Sequence, residues 1–96
     1  MSPERSWKIR LEDMLICIAK IKAYTLGMTF EKIRDDDKTV DAVIGNFEII
    51  GEAAWHIPLE IQEKYPKLAW LEMRGMRNIV AHEYFGISLS IIWRAT

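Results

Sequence analysis

Val40-Asp41-Ala42-Val43-Ile44-Gly45-Asn46-Phe47-Glu48-Ile49-Ile50-Gly51-Glu52-Ala53-Ala54 is the stretch on which the reading of the fold turns. Val40, Val43, Ile44, Phe47, Ile50 and Ala54 recur at helical spacing and fall on one face of an α-helix. It is the clearest apolar stripe in the chain. Gly45 and Gly51 interrupt it, each at about 1 kcal/mol of helix propensity relative to alanine. Glycines in a long helix permit close approach of another helix. Glu48 and Glu52 stand i,i+4, a like-charge pair that is mildly unfavourable unless a cation answers it. Arg74 and Arg77 are the cations available; two exposed acids are the other reading, since exposed ion pairs contribute little.

Towards the N-terminus the same periodicity recurs. Ser2-Pro3-Glu4 reads as a helix start, with Ser at the cap, Pro at the first position and an acid in the first turn. Trp7, Leu11, Met14, Ile18, Ile21 and Thr25 then follow at helical spacing. Ile9 and Ile16 lie off that stripe, so this helix is apolar on more than one face, which points to a partner. Gly27 ends it. Thr29 caps a short helix from Phe30 to about Arg34. Asp35-Asp36-Asp37 could suggest a metal site; the spacing favours a loop leading into the next helix, whose dipole favours acids there.

Towards the C-terminus, His56 comes just before Pro58, where a capping or surface role outweighs a ligand role because nothing nearby completes a set. Pro58 opens a short helix through Tyr65, and Pro66 closes it or starts the next. A long helix is expected from about Lys67 to Glu83 or Tyr84, with Gly86 breaking it. Ser88 then caps a last segment with Leu89, Ile92 and Trp93 on its apolar side. No sustained alternation or hairpin signal marks a strand. The expected fold is all-α: a four-helix up-and-down bundle with short additional helices.

Composition bounds what such a bundle can do. The 96 residues make one domain with a single core. Half of them are apolar and four are Trp, enough to supply an oligomer interface as well. A formal charge of −1 provides no global basic field for nucleic acid, so any RNA contact rests on a local cluster such as Arg74 with Arg77. Cys17 is alone, which excludes an intramolecular disulfide and fits a reducing cytoplasm. The longest apolar run, Met14 to Ala19, is far too short to span a bilayer. Charges at Glu4, Arg5, Lys8 and Arg10 rule out a signal-peptide pattern. His56, His82 and Cys17 make no metal site, and no phosphate-binding glycine loop or nucleophile elbow is present.

The chemistry-bearing groups gather in Arg77-Asn78-Ile79-Val80-Ala81-His82-Glu83-Tyr84. On a helical wheel with Arg77 at zero, Asn78 falls near 100° and His82 near 140°, while Tyr84 returns to about −20°. Ala69, Met76, Ile79 and Val80 form the core stripe. The polar groups share the opposite face with Trp70, Leu71 and Ala81. A Trp and a Leu among polar groups suggest a second surface that becomes covered, most simply by a partner helix.

R-N-I-V-A-H-E-Y resembles the arginine–four-spacer–histidine–x–tyrosine signature of HEPN ribonucleases. More narrowly, it is similar to HepT-type toxins that pair with a minimal nucleotidyltransferase antitoxin. Ala42-Val43 through Gly51-Glu52-Ala53 and Leu68-Ala69-Trp70 also look like that family, and the resemblance runs from about Leu11 to Trp93. The family usually continues past the last Trp into a further helical stretch, whereas this sequence stops at Thr96. The resemblance implies a single HEPN-like domain over 1–96 that acts as a cytoplasmic homodimer. It implies metal-independent RNA cleavage with no cofactor. In that chemistry the 2′-hydroxyl attacks the adjacent phosphorus. An imidazole such as His82 moves protons near neutrality, a guanidinium such as Arg77 holds two phosphate oxygens, and Asn78 orients the imidazole or the phosphate. Arg74 and Glu52 would support them. Arg77 and His82 do not point at one spot from a single helix, and a two-fold dimer would line one cleft with both copies. The family further implies that the antitoxin attaches adenylate to Tyr84.

Two readings stay open at this level. One is a dimeric ribonuclease toxin held in check by a nucleotidyltransferase. The other is a non-catalytic helical nucleotide-binding or adaptor subunit of a nucleotidyltransferase complex, in which Arg77 merely pairs with Glu52, His82 is a surface imidazole and Tyr84 a half-buried phenol.

Overall fold

The computed structural model describes residues 3–78 and 82–94, with side chains for 6–77 and 85–94. Six α-helices and one 3₁₀ turn are present among the described residues, and no strand. The first helix, α1, runs Pro3–Thr25. Gly27 follows with φ 76°, the left-handed conformation that ends a helix at least cost with glycine. The short α2, Phe30–Arg34, has the Thr29 hydroxyl accepting from the Lys32 amide. Next comes α3, Asp37–Trp55, capped by Asp36, whose carboxylate accepts from the Thr39 amide. The acid run is thus explained by its place: Asp36 caps, Asp37 opens α3 at the dipole's positive end, and Asp35 pairs with Arg34 at 3.4 Å. After α3 come α4, Leu59–Gln62, and α5, Trp70–Gly75. A 3₁₀ turn at Met76–Asn78 and then α6, His82–Arg94, complete the order.

The expected all-α bundle is what the chain forms, organised around α3. Its stripe is buried: Val43, Phe47, Ile50, Ala53 and Ala54 are in the core. Along one side α3 packs on α1, which contributes Leu11, Met14, Cys17, Ile18 and Ile21; along another it meets α5 and the 3₁₀ turn, through Trp70, Met73 and Met76. Phe85, Leu89 and Ile92 of α6 close the core, and Phe85 meets the Phe47 ring edge-on at 5.7 Å. At the far end Trp93 Nε1 donates to Thr25 Oγ1 at 3.1 Å, and that hydroxyl donates to the Ile21 carbonyl at 2.8 Å. Ile9 and Ile16 stay exposed, as their place off the stripe of α1 predicts.

Two expected boundaries are wrong. The long α-helix expected from Lys67 through Tyr84 is not what forms: α5 begins at Trp70, ends at Gly75 and gives way to the 3₁₀ turn at Met76–Asn78, and the next described element is α6, His82–Arg94. Periodicity misleads here because a 3₁₀ turn keeps an i,i+3 apolar spacing. Gly86 does not break a helix either, and Ser88 caps nothing; both lie inside α6, with Ser88 buried. Gly86 makes room instead, because a Cβ there would approach the Phe30 ring to 3.3 Å. Trp70 is also misplaced by the wheel. It is 8% exposed, and its Nε1 donates to the Tyr65 carbonyl at 3.0 Å.

Candidate active site

The seam between α3 and the α5–3₁₀ segment carries the charged groups. Gly51 makes that seam close: a Cβ there would lie 2.7 Å from the Arg77 amide nitrogen and 2.9 Å from the Arg77 Cβ. Backbone thus meets backbone, and the turn holding Arg77 is seated directly on α3. The residue after Gly51, Glu52, answers the arginine's charge. Arg77 Nη1 is 3.0 Å from Glu52 Oε2, with both side chains about half exposed. The cation that the Glu48/Glu52 pair calls for is therefore Arg77. A pair this open to solvent adds little stability, roughly 0–1 kcal/mol; its effect is to hold one edge of the guanidinium while the rest faces solvent.

Glu52 has a second neighbour. His56 Nδ1 donates to the Glu52 carbonyl at 2.9 Å and lies 3.8 Å from its carboxylate. His56 is thus a helix-end residue of α3, the role its position before Pro58 predicts. Arg74 turns the other way, with its guanidinium 5.4 Å from the Trp55 ring centroid. Its Nε is buried with no hydrogen-bond partner among the described residues. Arg74–Trp55 and Arg77–Glu52 are successive rungs of one seam, since each member is three residues from its counterpart.

Beside Arg77 an open groove of about 410 Å³ runs between α1 and α3. Arg10 and Asp13 line it from α1, and Glu48 and Glu52 from α3, with Ile49 and Ala53 as its apolar part. Sequence reasoning missed Arg10 and Asp13 as neighbours of Arg77. Their i,i+3 spacing places them on one face of α1, but only the α1–α3 packing brings that face to the motif. It missed Trp55 as well, although a Trp off the α3 stripe is a visible signal.

The motif divides between two elements. Arg77 ends the α5 side in the 3₁₀ turn, and the backbones of His82 and Tyr84 lie in the first turn of α6. The expected placement of the Tyr84 side chain over Arg77 lies outside the described residues. The side chains of Asn78, His82 and Tyr84, and the expected core positions Ile79 and Val80, lie outside the described residues. Leu71 remains an exposed apolar residue on this side, at 73%. Among the described residues no three His, Cys, Asp or Glu side chains gather as a metal group. No helix among them is long and apolar enough to cross a membrane.

Comparison with known proteins adds an independent finding. The family model described as ribonuclease HepT-like matches residues 14–96. "Probable ribonuclease HepT" of Thermococcus cleftensis is 40% identical over 91 residues, covering 95% of this chain and 83% of that protein. A candidate RNase of Methanocaldococcus jannaschii is 38% identical over 91 residues, 95% of this chain and 75% of its own length. Another from Caldanaerobacter subterraneus is 39% identical over 83 residues, 86% of this chain and 70% of its own. No solved structure gives a significant match.

Proposed function

The chain belongs to the HepT-like ribonuclease family, and from that premise we propose that it is a metal-independent endoribonuclease acting as a toxin under the control of a minimal nucleotidyltransferase antitoxin. The observation that carries the catalytic part is the seating of Arg77. Gly51 fixes its backbone, Glu52 holds one edge of its guanidinium, and the groove leaves the remainder accessible. A fixed planar fork beside an open groove suits a phosphate whose charge grows during displacement. In the proposed reaction the 2′-hydroxyl oxygen attacks the adjacent phosphorus and the 5′-oxygen of the next nucleotide leaves. His82 moves the proton, Arg77 stabilises the phosphorane, and Asn78 positions one or the other. Arg74 and Glu52 support the cation. No metal ligand is needed for such proton and charge transfer.

The active unit we propose is a homodimer in the cytoplasm, with the two Arg77-to-His82 segments facing one cleft. Leu71 and Ile16, both exposed apolar residues, favour an association surface. Tyr84 is the proposed adenylylation site. Adenylate would add a bulky group and a negative charge seven residues from Arg77 in the chain and so oppose RNA entry. Tyr84→Phe should then keep cleavage yet escape the partner.

A non-catalytic adaptor reading has one observation in its favour: Arg77 already has an acidic partner, as a purely structural cation would. Incubation of the purified protein with RNA in chelator separates the two. The ribonuclease reading expects cleavage in EDTA, lost in both Arg77→Ala and His82→Ala, and lost in Arg77→Lys because an ammonium lacks the planar fork. Equal cleavage by wild type and the double variant would assign the activity elsewhere. Absence of cleavage at every condition, with tight nucleotidyltransferase binding, would favour the adaptor.

A further inference from the structure

Trp55 is the last residue of α3 and is 58% exposed, although an indole is among the most apolar surfaces a chain can offer. Three features set it apart from the other exposed apolar residues. Arg74 lies against its ring, 5.4 Å from the centroid, so the indole is held at one side and open at the other. It occupies the rung next to Arg77–Glu52, placing an aromatic face beside the guanidinium proposed to hold the scissile phosphate. It also has polar sequence neighbours at the end of α3, with Glu52 three residues before it and His56 next in the chain.

We propose that Trp55 is a nucleobase-stacking platform, on which an unpaired base of the RNA next to the phosphate at Arg77 lies flat. This rests on the ribonuclease reading of the same seam. Single-stranded nucleic acid is held by alternating cations and aromatic faces, because the backbone is anionic and every base has a π-face. The seam offers that alternation within two helical turns: Arg77 for a phosphate, Trp55 for a base, and Arg74 behind the ring to fix its orientation and answer a second phosphate. A contact between two copies of the chain fits less well. The centre of such an interface is depleted in charge, and Trp55 stands with Arg74 against its ring and the Arg77–Glu52 pair on the next rung. Stacking requires the base to be out of a duplex, so the platform selects single-stranded or looped RNA.

The test uses the full chain and two probes: a mixed-sequence single-stranded RNA, and the same strand fully 2′-O-methylated, which lacks the attacking hydroxyl. Trp55→Ala should weaken binding of the methylated strand roughly tenfold and raise KM on the cleavable one by a similar factor, with kcat changed far less; Trp55→Phe should stay within about threefold of wild type. Quenching of tryptophan fluorescence by the methylated strand should be strong in wild type and largely absent in Trp55→Phe. A blunt-ended duplex of the same sequence, with every base paired, should show no difference between wild type and Trp55→Ala. Unchanged affinity and KM in Trp55→Ala would overturn the proposal. So would a change in sedimentation of Trp55→Ala, which would assign the indole to a contact between copies. Should wild type bind the methylated strand through Trp55 yet cut no RNA, the ribonuclease reading fails while the platform stands.

Discussion

A Cβ added at Gly45 meets nothing within 4 Å, whereas one added at Gly51 runs into the backbone of Arg77. Gly45→Ala should therefore recover helix propensity and stabilise the chain by up to about 1 kcal/mol. Gly51→Ala gains the same propensity but must displace the Arg77 turn, and overpacking against backbone costs about 1–3 kcal/mol. The expected net outcome is a lower urea midpoint for Gly51→Ala, a higher one for Gly45→Ala, and a loss of RNA cleavage only in the former. Cys17 behaves as a core residue. Burial pushes its thiol pKa up; Lys20 opposes this and Asp13 adds to it. A group with a raised folded pKa contributes stability that is complete below its unfolded pKa and is lost as pH rises through the folded one. Native protein should accordingly react slowly with a thiol reagent near neutral pH, and its urea midpoint should fall as pH climbs past the ordinary thiol range; rapid alkylation without denaturant would contradict this. At this scale the sequence offers cations and acids but not which of them meet. Arg77–Glu52 was one of two cation choices, and nothing in the chain order joins Arg74 to Trp55.

Among the elements, α1, α2 and α3 were legible because each has a start signal, an apolar stripe and a stop. Thr29 and Asp36 cap, and Gly27 ends α1 with a positive φ. The α5–α6 region was not. Met76 continues the apolar rhythm and is buried, so periodicity alone could not reveal that the backbone tightens at Met76–Asn78. That turn sits against another element, α3, where Gly51 lets the Arg77 backbone approach closely. Gly86 misled in the opposite sense, since its small size serves the Phe30 ring rather than a break. The C-terminal helix is tied down by Trp93 and Thr25, and a testable cost follows. Trp93→Phe keeps most of the ring but removes the donor to Thr25, a hydroxyl that already donates to Ile21. A neutral hydrogen bond of this kind is worth about 0.5–1.5 kcal/mol. The variant should melt lower by that amount, with amide exchange faster in α6 than in α3; an unchanged melting curve would mean the contact is not maintained in solution.

For the molecule as a whole, a formal charge of −1 means that RNA affinity must come from few cations. With Arg77 and Arg74 as the phosphate contacts, log K against log salt should have a slope of only about −1.4, using about 0.7 per phosphate on a single strand. A slope several times steeper would show that a larger basic surface is used, with Arg10 in the neighbouring groove the first to test. Trp93 and Thr25 stand 68 positions apart, and Glu52, Trp55, Arg74 and Arg77 all lie between them in the chain. Their contact closes a ring through the bundle, from the end of α1 to the end of α6. On the ribosome α1 and α3 can pair early, because they are neighbours in the chain. The seat for Arg77 is thus available before Arg77 itself emerges, but the ring shuts only after residue 93 has left the exit tunnel. Each new copy of a nuclease made among the cell's own RNA would then keep that ring open until residue 93 has emerged.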